Sequence, residues 1–406
     1  MHGENLDKKR KLYFGSSLHN KVDGIFIVCK NFKLYKFNFK FAKVDVGRNI
    51  TNAILHHARP ASTELLFGFE HSLEPGASQE RRSGVFSWER HVKASGCKNI
   101  RVSRANDTWQ VSASLPRLFP VPVHVTDDMV TRVAETCVHS RPPVWVWGSK
   151  SGGSLFVQPQ FSVSPSPKLD SLIDDYFRSP SLVTIDTDYY LPKLSSLEES
   201  FTGMVELHCV DGERELEEKD KSYFSSLESS GWLSSVGSVL SLASQVAEEV
   251  VRGKCVVVRD ADGRSSSLLV SSLAMLMMSE EFRTREGLEQ VILGVWVSLG
   301  FPFNKHHTLT SPAKQSTDKH HSLLCPLFLI FLDSVHQLCH QFPAHFSFLS
   351  EYLVSVWDTC LLPVTQSFLF DCEHDQHVAR SGARSPVSEV SAFNWSHQFS
   401  QEQVKH

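Results

Sequence analysis

Residues 255–278, CVVVRDADGRSSSLLVSSLAMLMM, decide how this chain is read. Cys255, Val256, Val257 and Val258 are a short apolar, β-branched run of the kind that forms a buried strand. Leu268 to Met278 is apolar on nearly every side, and the spacing predicts a buried helix over residues 266–279. Between them lies a polar loop of Arg259, Asp260, Ala261, Asp262, Gly263, Arg264, Ser265 and Ser266. A strand that enters a tight loop and opens into a helix points unpaired amide N–H groups and the positive helix end at the loop, which is an anion-binding geometry. Strand, loop and buried helix together give an α/β fold class.

The flanking sequence extends this pattern. Residues 233–251 repeat apolar side chains at Val236, Val239, Leu240, Ala243, Val246, Ala247 and Val250, a helical stripe ended by Gly253. Residues 287–300, 323–342 and 346–361 read as three further helices. Residues 141–159 read as a hairpin of two apolar strands around Gly148 to Gly153, and 211–221 is a charged, loosely patterned stretch. Nearer the start, residues 25–41 keep a period of two through Phe37, Phe39 and Phe41, which predicts a pair of strands joined near Lys30 and Asn31. Val46, Ile50, Ala53, Ile54 and His57 then follow helical spacing before Pro60. Residues 74–84, polar with Pro and Gly, read as a linker.

The chain has 406 residues, 41% of them hydrophobic, and a net charge of −4. At ~100–200 residues per domain it should hold two domains, one of them large. The charge excludes wholesale electrostatic capture of nucleic acid, so no nucleic-acid partner is expected. Lys8, Lys9, Arg10 and Lys11 are not followed by the apolar core of a secretory signal, and no run approaches the ~18 apolar residues that span a bilayer. A cytoplasmic location, with peripheral membrane contact, is expected. Nine scattered cysteines fit reduced thiols, so the Asn-x-Ser/Thr matches at Asn49, Asn106 and Asn394 read as chance.

Cysteine phosphatases use such a loop with a C-x5-R pattern. The helix end lowers the thiol pKa so that a thiolate attacks phosphorus, and the arginine clamps the phosphoryl oxygens. Residues 259–266 contain no cysteine, and their two arginines, Arg259 and Arg264, are expected to pair with Asp260 or Asp262. An imitation of the pattern stands elsewhere, at His208-Cys209-Val210-Asp211-Gly212-Glu213-Arg214. Arg214 comes one residue too early there, and the following residues are polar, so a chance match is expected. His336 and His340, with Cys339 beside them, have metal-holding spacing but no third ligand nearby; one buried and one surface histidine is the expectation. His306, His307, His320 and His321 read as an exposed loop. No metal and no cofactor is expected. The lysines between Lys30 and Lys43 are expected on a solvated face, where a weak contact with acidic lipid headgroups is the alternative.

Residues 271–292, SSLAMLMMSEEFRTREGLEQVI, resemble the SLAMLMLD-x-x-[FY]-R-[ST]-x-x-G-[FL] segment of the myotubularin family, and Trp296, Gly300 and Phe303 follow it. Residues 225–254 resemble the helix that precedes that family's catalytic strand. The likeness continues, in order, through Trp88-Glu89-Arg90, Arg141-Pro142-Pro143-Val144-Trp145, Gln158-Pro159, Pro326-Leu327-Phe328, Gln341-Phe342-Pro343 and Phe368-Leu369-Phe370. It implies a cysteine-phosphatase-like α/β domain over 85–406 with a mostly parallel sheet flanked by helices. It also implies a partial PH-GRAM β-barrel over 1–62, of which the last strands and the helix are present, and a linker over 63–84. Active members carry H-C-x-D-G-x-D-R-T at the loop. Against that pattern Arg259 replaces the histidine, Asp260 the cysteine, Ser265 the second aspartate and Ser266 the arginine, while Asp262 and Gly263 match. The resemblance is nearest to the family's catalytically inactive subgroup, which includes phosphatase adapters. It implies a pseudophosphatase that pairs with an active myotubularin-family phosphoinositide 3-phosphatase as a hetero-oligomer. A phosphoinositide-binding module, or an active phosphatase with a nucleophile outside the loop, is the alternative.

Overall fold

In the computed structural model of the chain, the described residues are 2–5, 8–12, 17–29, 31–58, 60–62, 65–66, 86–149, 151–210, 212–307, 325–362, 366–382 and 392–393. The linker read at 74–84, together with His320, His321 and Asn394, lies outside them.

The N-terminal part is an antiparallel sheet in the order β2-β1-β3-β4, built from β1 (His2–Asn5), β2 (Lys8–Lys11), β3 (Gly24–Val28) and β4 (Leu34–Asn38). β3 and β4 are the expected pair, registered from Gly24 opposite Asn38 to Val28 opposite Leu34. Helix α1 (Val46–His57) follows, as the apolar spacing predicts. The β1/β2 hairpin has no counterpart in the sequence pattern, because Lys8, Lys9, Arg10 and Lys11 carry no apolar alternation.

Beyond residue 86 the chain forms a mixed α/β domain. A short ladder of β5 (Ile100–Ser103) and β6 (Phe119–Pro122) stands apart from the main sheet, whose order is β7-β8-β10-β9. Its strands are β7 (Val144–Gly148), β8 (Ser154–Pro159), β9 (Leu182–Asp186) and β10 (Cys255–Asp260). β7 and β8 form the expected antiparallel hairpin, and β10 inserts between β8 and β9, parallel to both. The sheet is therefore mixed, with its parallel part around β10. Parallel neighbours need long crossovers, and helices supply them here. Between β9 and β10 run α2 (Leu194–His208), α3 (Glu213–Asp220) and α4 (Trp232–Val251). The charged stretch thus contains a helix, none of its residues buried, laced by Arg214–Glu218 and Lys219–Glu215 pairs one turn apart.

α4 buries Val236, Val239, Ala243, Val246, Ala247 and Val250 as predicted; Leu242 joins them and Leu240 is half-buried. α5 (Ser266–Met278) is buried from Ser267 to Leu276. It packs against α4, β8, β10 and α6 (Leu327–Gln341), so no side of it faces water. Its six large apolar side chains from Leu268 to Leu276, at roughly 1.5–3 kcal/mol each, contribute on the order of 10 kcal/mol before ordering entropy is subtracted. The helix expected over 287–300 starts at Arg285 and widens into a π-helix over Ile292–Ser298. The helix expected over 346–361 is the shorter Ser350–Leu361, preceded by a tight turn at Pro343–His345. No helix among the described residues is long and apolar enough to cross a membrane.

Candidate functional site

The parallel register sets Asp260 beside Pro159 and Arg259 beside Asp186, so β8, β10 and β9 end side by side. Ligand sites in α/β sheets lie at these carboxyl ends. From Asp260 the chain turns through the loop into α5.

The turn is organised by one side chain. Asp260 is buried, and its Oδ1 accepts from the amides of Asp262, at 3.1 Å, and of Gly263. Its Oδ2 accepts from the amides of Ser265 at 3.1 Å and Ser267 at 2.8 Å. Three N–H groups of the loop and one from the first turn of α5 therefore converge on one internal carboxylate, as they would on a bound oxyanion. Gly263 makes the approach possible. It sits at φ +69°, and a Cβ there would lie 2.7 Å from the Pro159 nitrogen.

The remaining loop side chains are engaged with each other and with the strand ends. Asp262 Oδ1 accepts from the Arg264 amide at 3.1 Å and the Ser265 hydroxyl at 3.0 Å, and its Oδ2 faces Arg264 Nε at 3.5 Å. That pairing is the expected one. Arg259 departs from expectation: its Nε and Nη2 donate to Asp186 Oδ2 at 3.2 and 3.1 Å, outside the loop, because the β9/β10 register puts Asp186 next to it. Thr187 Oγ1 donates to the Arg259 carbonyl at 3.1 Å and lies 2.7 Å from Ser266 Oγ. Behind the loop, the buried Arg141 guanidinium donates to the carbonyls of Gly263 at 3.1 Å, Leu299 at 2.8 Å and Ser114 at 2.9 Å. Arg141 stood in a family motif, but its role as the loop's rear support, like those of Asp186 and Thr187, had no local signal.

Burial, and then the neighbouring Asp262 charge, push Asp260 up to about 6, against the pull of the Ser267 and Gly263 amides. It is ionised at neutral pH. Burial and the nearby Arg264 charge bring Arg141 down to about 10. Asp188 is raised by burial and by the charges of Asp186 and Asp262. The mouth of the loop is thus a field of carboxylates, with Arg259 matched to Asp186 and Arg264 to Asp262. The one cysteine on β10, Cys255, is pushed up to about 12 by burial and sits at the far end of the strand.

The imitation at 208–214 is built differently. His208 closes α2, with Nδ1 2.8 Å from the Met204 carbonyl and Nε2 3.3 Å from Tyr223 Oη. Cys209 donates to the Phe32 carbonyl at 3.7 Å, and burial raises its pKa despite Lys219. Arg214 points along the exposed α3 to Glu218. The three side chains do not converge.

Two histidine expectations are corrected. His336 and His340 are both exposed, on the outer face of α6, and His336 Nδ1 lies 2.9 Å from Ser350 Oγ. His307 is fully buried, its Nδ1 3.1 Å from the Cys360 carbonyl, because the chain there packs under Trp357. Among the described residues no group of three or more His, Cys, Asp or Glu side chains is placed to hold a metal. Asn106 is buried and donates to the carbonyls of Ser112, Leu115 and Pro116, a structural role.

Comparison with known proteins gives the same resemblance as the motifs. Residues 184–377 match the family model of the myotubularin-like phosphatase domain. The chain is 28% identical over 434 residues to myotubularin-related protein 10-A of Xenopus laevis, covering 97% of this chain and 55% of that protein. It is 27% identical over 425 residues to myotubularin-related protein 10 of Homo sapiens, covering 92% and 53%. It is 26% identical over 415 residues to myotubularin-related protein 12 of Danio rerio, covering 97% and 54%. The chain spans about half the length of the curated relatives it matches.

Proposed function

We propose that this chain is a pseudophosphatase: a myotubularin-like phosphatase domain that keeps the anion-binding loop as architecture and does not hydrolyse phosphate esters. The observation that carries the reading is the Asp260 carboxylate seated on four amides. In a cysteine phosphatase such amides are offered to phosphoryl oxygens. Here an incoming phosphate would have to displace an anion that is covalently part of the loop and therefore always at hand. It would also meet like charge, at about 4 kcal/mol per pair of unit charges 4 Å apart at an effective dielectric of 20. No thiolate stands in the loop to attack phosphorus, and Ser266, at the position of the family's arginine, has no guanidinium to clamp the oxygens.

On this reading residues 1–62 are part of a PH-GRAM domain, 63–84 a linker and 85–406 the inactive phosphatase-like domain. Its work is regulatory and cytoplasmic, by hetero-association with an active myotubularin-family phosphoinositide 3-phosphatase at membrane surfaces. Two assays test it on the whole chain. Phosphate release from phosphatidylinositol 3-phosphate is expected at the rate of buffer alone. Co-expression with active myotubularins is expected to yield a stable complex by native mass spectrometry. Release above buffer ends the pseudophosphatase reading, and failure to co-purify with any of them ends the adapter reading alone.

A further inference from the structure

Cys209, left over from the imitation signature, meets Cys29 at a single turn. Residues 29–33 connect β3 to β4; the Cys29 amide donates to the Lys33 carbonyl at 2.8 Å and the Phe32 amide to the Cys29 carbonyl at 3.1 Å. Such a closure keeps Cys29 and Phe32 within about 7 Å, Cα to Cα. Phe32 sits at φ +65°, a left-handed conformation that a bulky side chain rarely adopts. Contacts from the phosphatase-like domain fit that shape. The Phe32 ring packs edge-on against Phe201 of α2 with centroids 5.9 Å apart, and the Cys209 thiol donates to the Phe32 carbonyl at 3.7 Å. Both thiols are half-buried, and ionisation of Cys29 would raise the Cys209 thiol further. Both cysteines thus bond to Phe32, Cys29 through its backbone carbonyl beside the N-terminal sheet and Cys209 through its thiol at the end of α2.

We propose that Cys29 and Cys209 are a redox-linkable pair, joined by hydrogen peroxide into a disulfide that fastens the N-terminal sheet to the phosphatase-like domain. In the first step one thiolate attacks the peroxide; an S–O bond forms, the O–O bond breaks, and hydroxide leaves and is protonated to water. The second thiol gives up its proton and its sulfur attacks the sulfenic sulfur, so that the S–S bond forms, the S–O bond breaks and a second water departs. Two thiols are oxidised by two electrons and one peroxide is reduced to two waters. Burial raises both thiols, while Lys33 beside Cys29 and Lys219 beside Cys209 pull them back, so the link forms under sustained peroxide and faster as pH rises. A disulfide needs Cα atoms about 4.4–6.8 Å apart, and the residue that Cys209 touches, Phe32, lies within about 7 Å of Cys29 across the turn.

The test uses the whole chain, treated with hydrogen peroxide, quenched with N-ethylmaleimide and digested without reduction. Mass spectrometry is expected to find the Cys29 and Cys209 peptides joined, two hydrogens lighter than their sum. The yield is expected to fall at least tenfold when the same treatment is given in concentrated urea, and to vanish in Cys29→Ser. Three results overturn the proposal: both cysteines recovered as maleimide adducts or sulfinic acids at a dose that oxidises the half-buried Cys97; linkage to other cysteines instead; or equal linkage in urea. The wild-type map decides without relying on the variant's folding.

Discussion

Residues 259–266 have a buried strand before them, a 13-residue helix after them and four amides aimed at one point, but no cysteine. Residues 208–214 have a histidine, a cysteine and an arginine in nearly the right order, placed between an α-helix end and an exposed helix. The difference shows where the chemistry of such a site resides. A cysteine becomes a nucleophile when a helix end and converging amides favour its thiolate, and Cys209 has neither, so burial moves its pKa the wrong way. An aspartate placed on those amides becomes a structural ligand, which is what Asp260 has become.

The largest test of that comparison removes both residues separately. In Asp260→Ala four inward N–H groups lose their acceptor at the start of the core helix, and the expected loss is about 3–4 kcal/mol in urea unfolding. Sulfate at tens of millimolar should restore part of it by taking the vacated place. Equal losses for Asp260→Ala and Cys209→Ala would break the contrast between the two regions.

The second effect is a pH dependence carried by Asp260. Its pKa is raised from 3.8 to about 6, so the folded chain binds this proton more tightly than the unfolded chain does. The stability that its protonation adds is therefore full below pH ~4 and is lost as pH rises through about 6, while the bonds of the ionised carboxylate to the four amides remain. The two-unit shift corresponds to about 3 kcal/mol at most. Unfolding midpoints across this range, wild type against Asp260→Ala, should show that slope in the wild type only. No slope difference would mean that the amides hold the carboxylate ionised throughout.

How much of this was legible follows from the range of the interactions. β10, α4 and α5 were readable because each is a continuous apolar pattern whose period or length names its element. The four-amide cradle was readable as a type, strand to loop to helix, though not that Asp260 would fill it. The Arg259–Asp186 pair was not readable, since its partners lie 73 residues apart and only the β9/β10 register joins them. His307 misled for a related reason: its neighbours in sequence are polar, but Cys360 and Trp357 bury it from another helix. The β1/β2 hairpin carries its pairing in backbone bonds, which leave no trace in side-chain type.

A smaller effect is expected from Cys209→Ala alone. The thiol's 3.7 Å bond to the Phe32 carbonyl is a weak one, and the side chain is half-buried, so the loss should be under about 1 kcal/mol in the same urea experiment. Phosphate release should not change at all. A measurable loss of phosphate release in this variant would make residues 208–214 a working site and reverse the comparison.

The smallest expected effect is the most informative. Asp260→Cys with Ser266→Arg restores both members of the C-x5-R pattern, yet phosphate release is expected to stay at the buffer rate. The double substitution clears the internal anion and supplies a clamp, so vanadate binding should appear. Turnover needs more. On the proposed reading Arg259, bonded to Asp186, takes the place of the active pattern's histidine and Ser265 that of its second aspartate, so proton transfer worth roughly 10²- to 10⁴-fold stays missing. Adding Arg259→His and Ser265→Asp should then raise the rate by a factor of that order. Full activity in the double variant would show that the strand, glycine and helix kept here need only a thiolate and a guanidinium to work, and that Asp260 alone had silenced them.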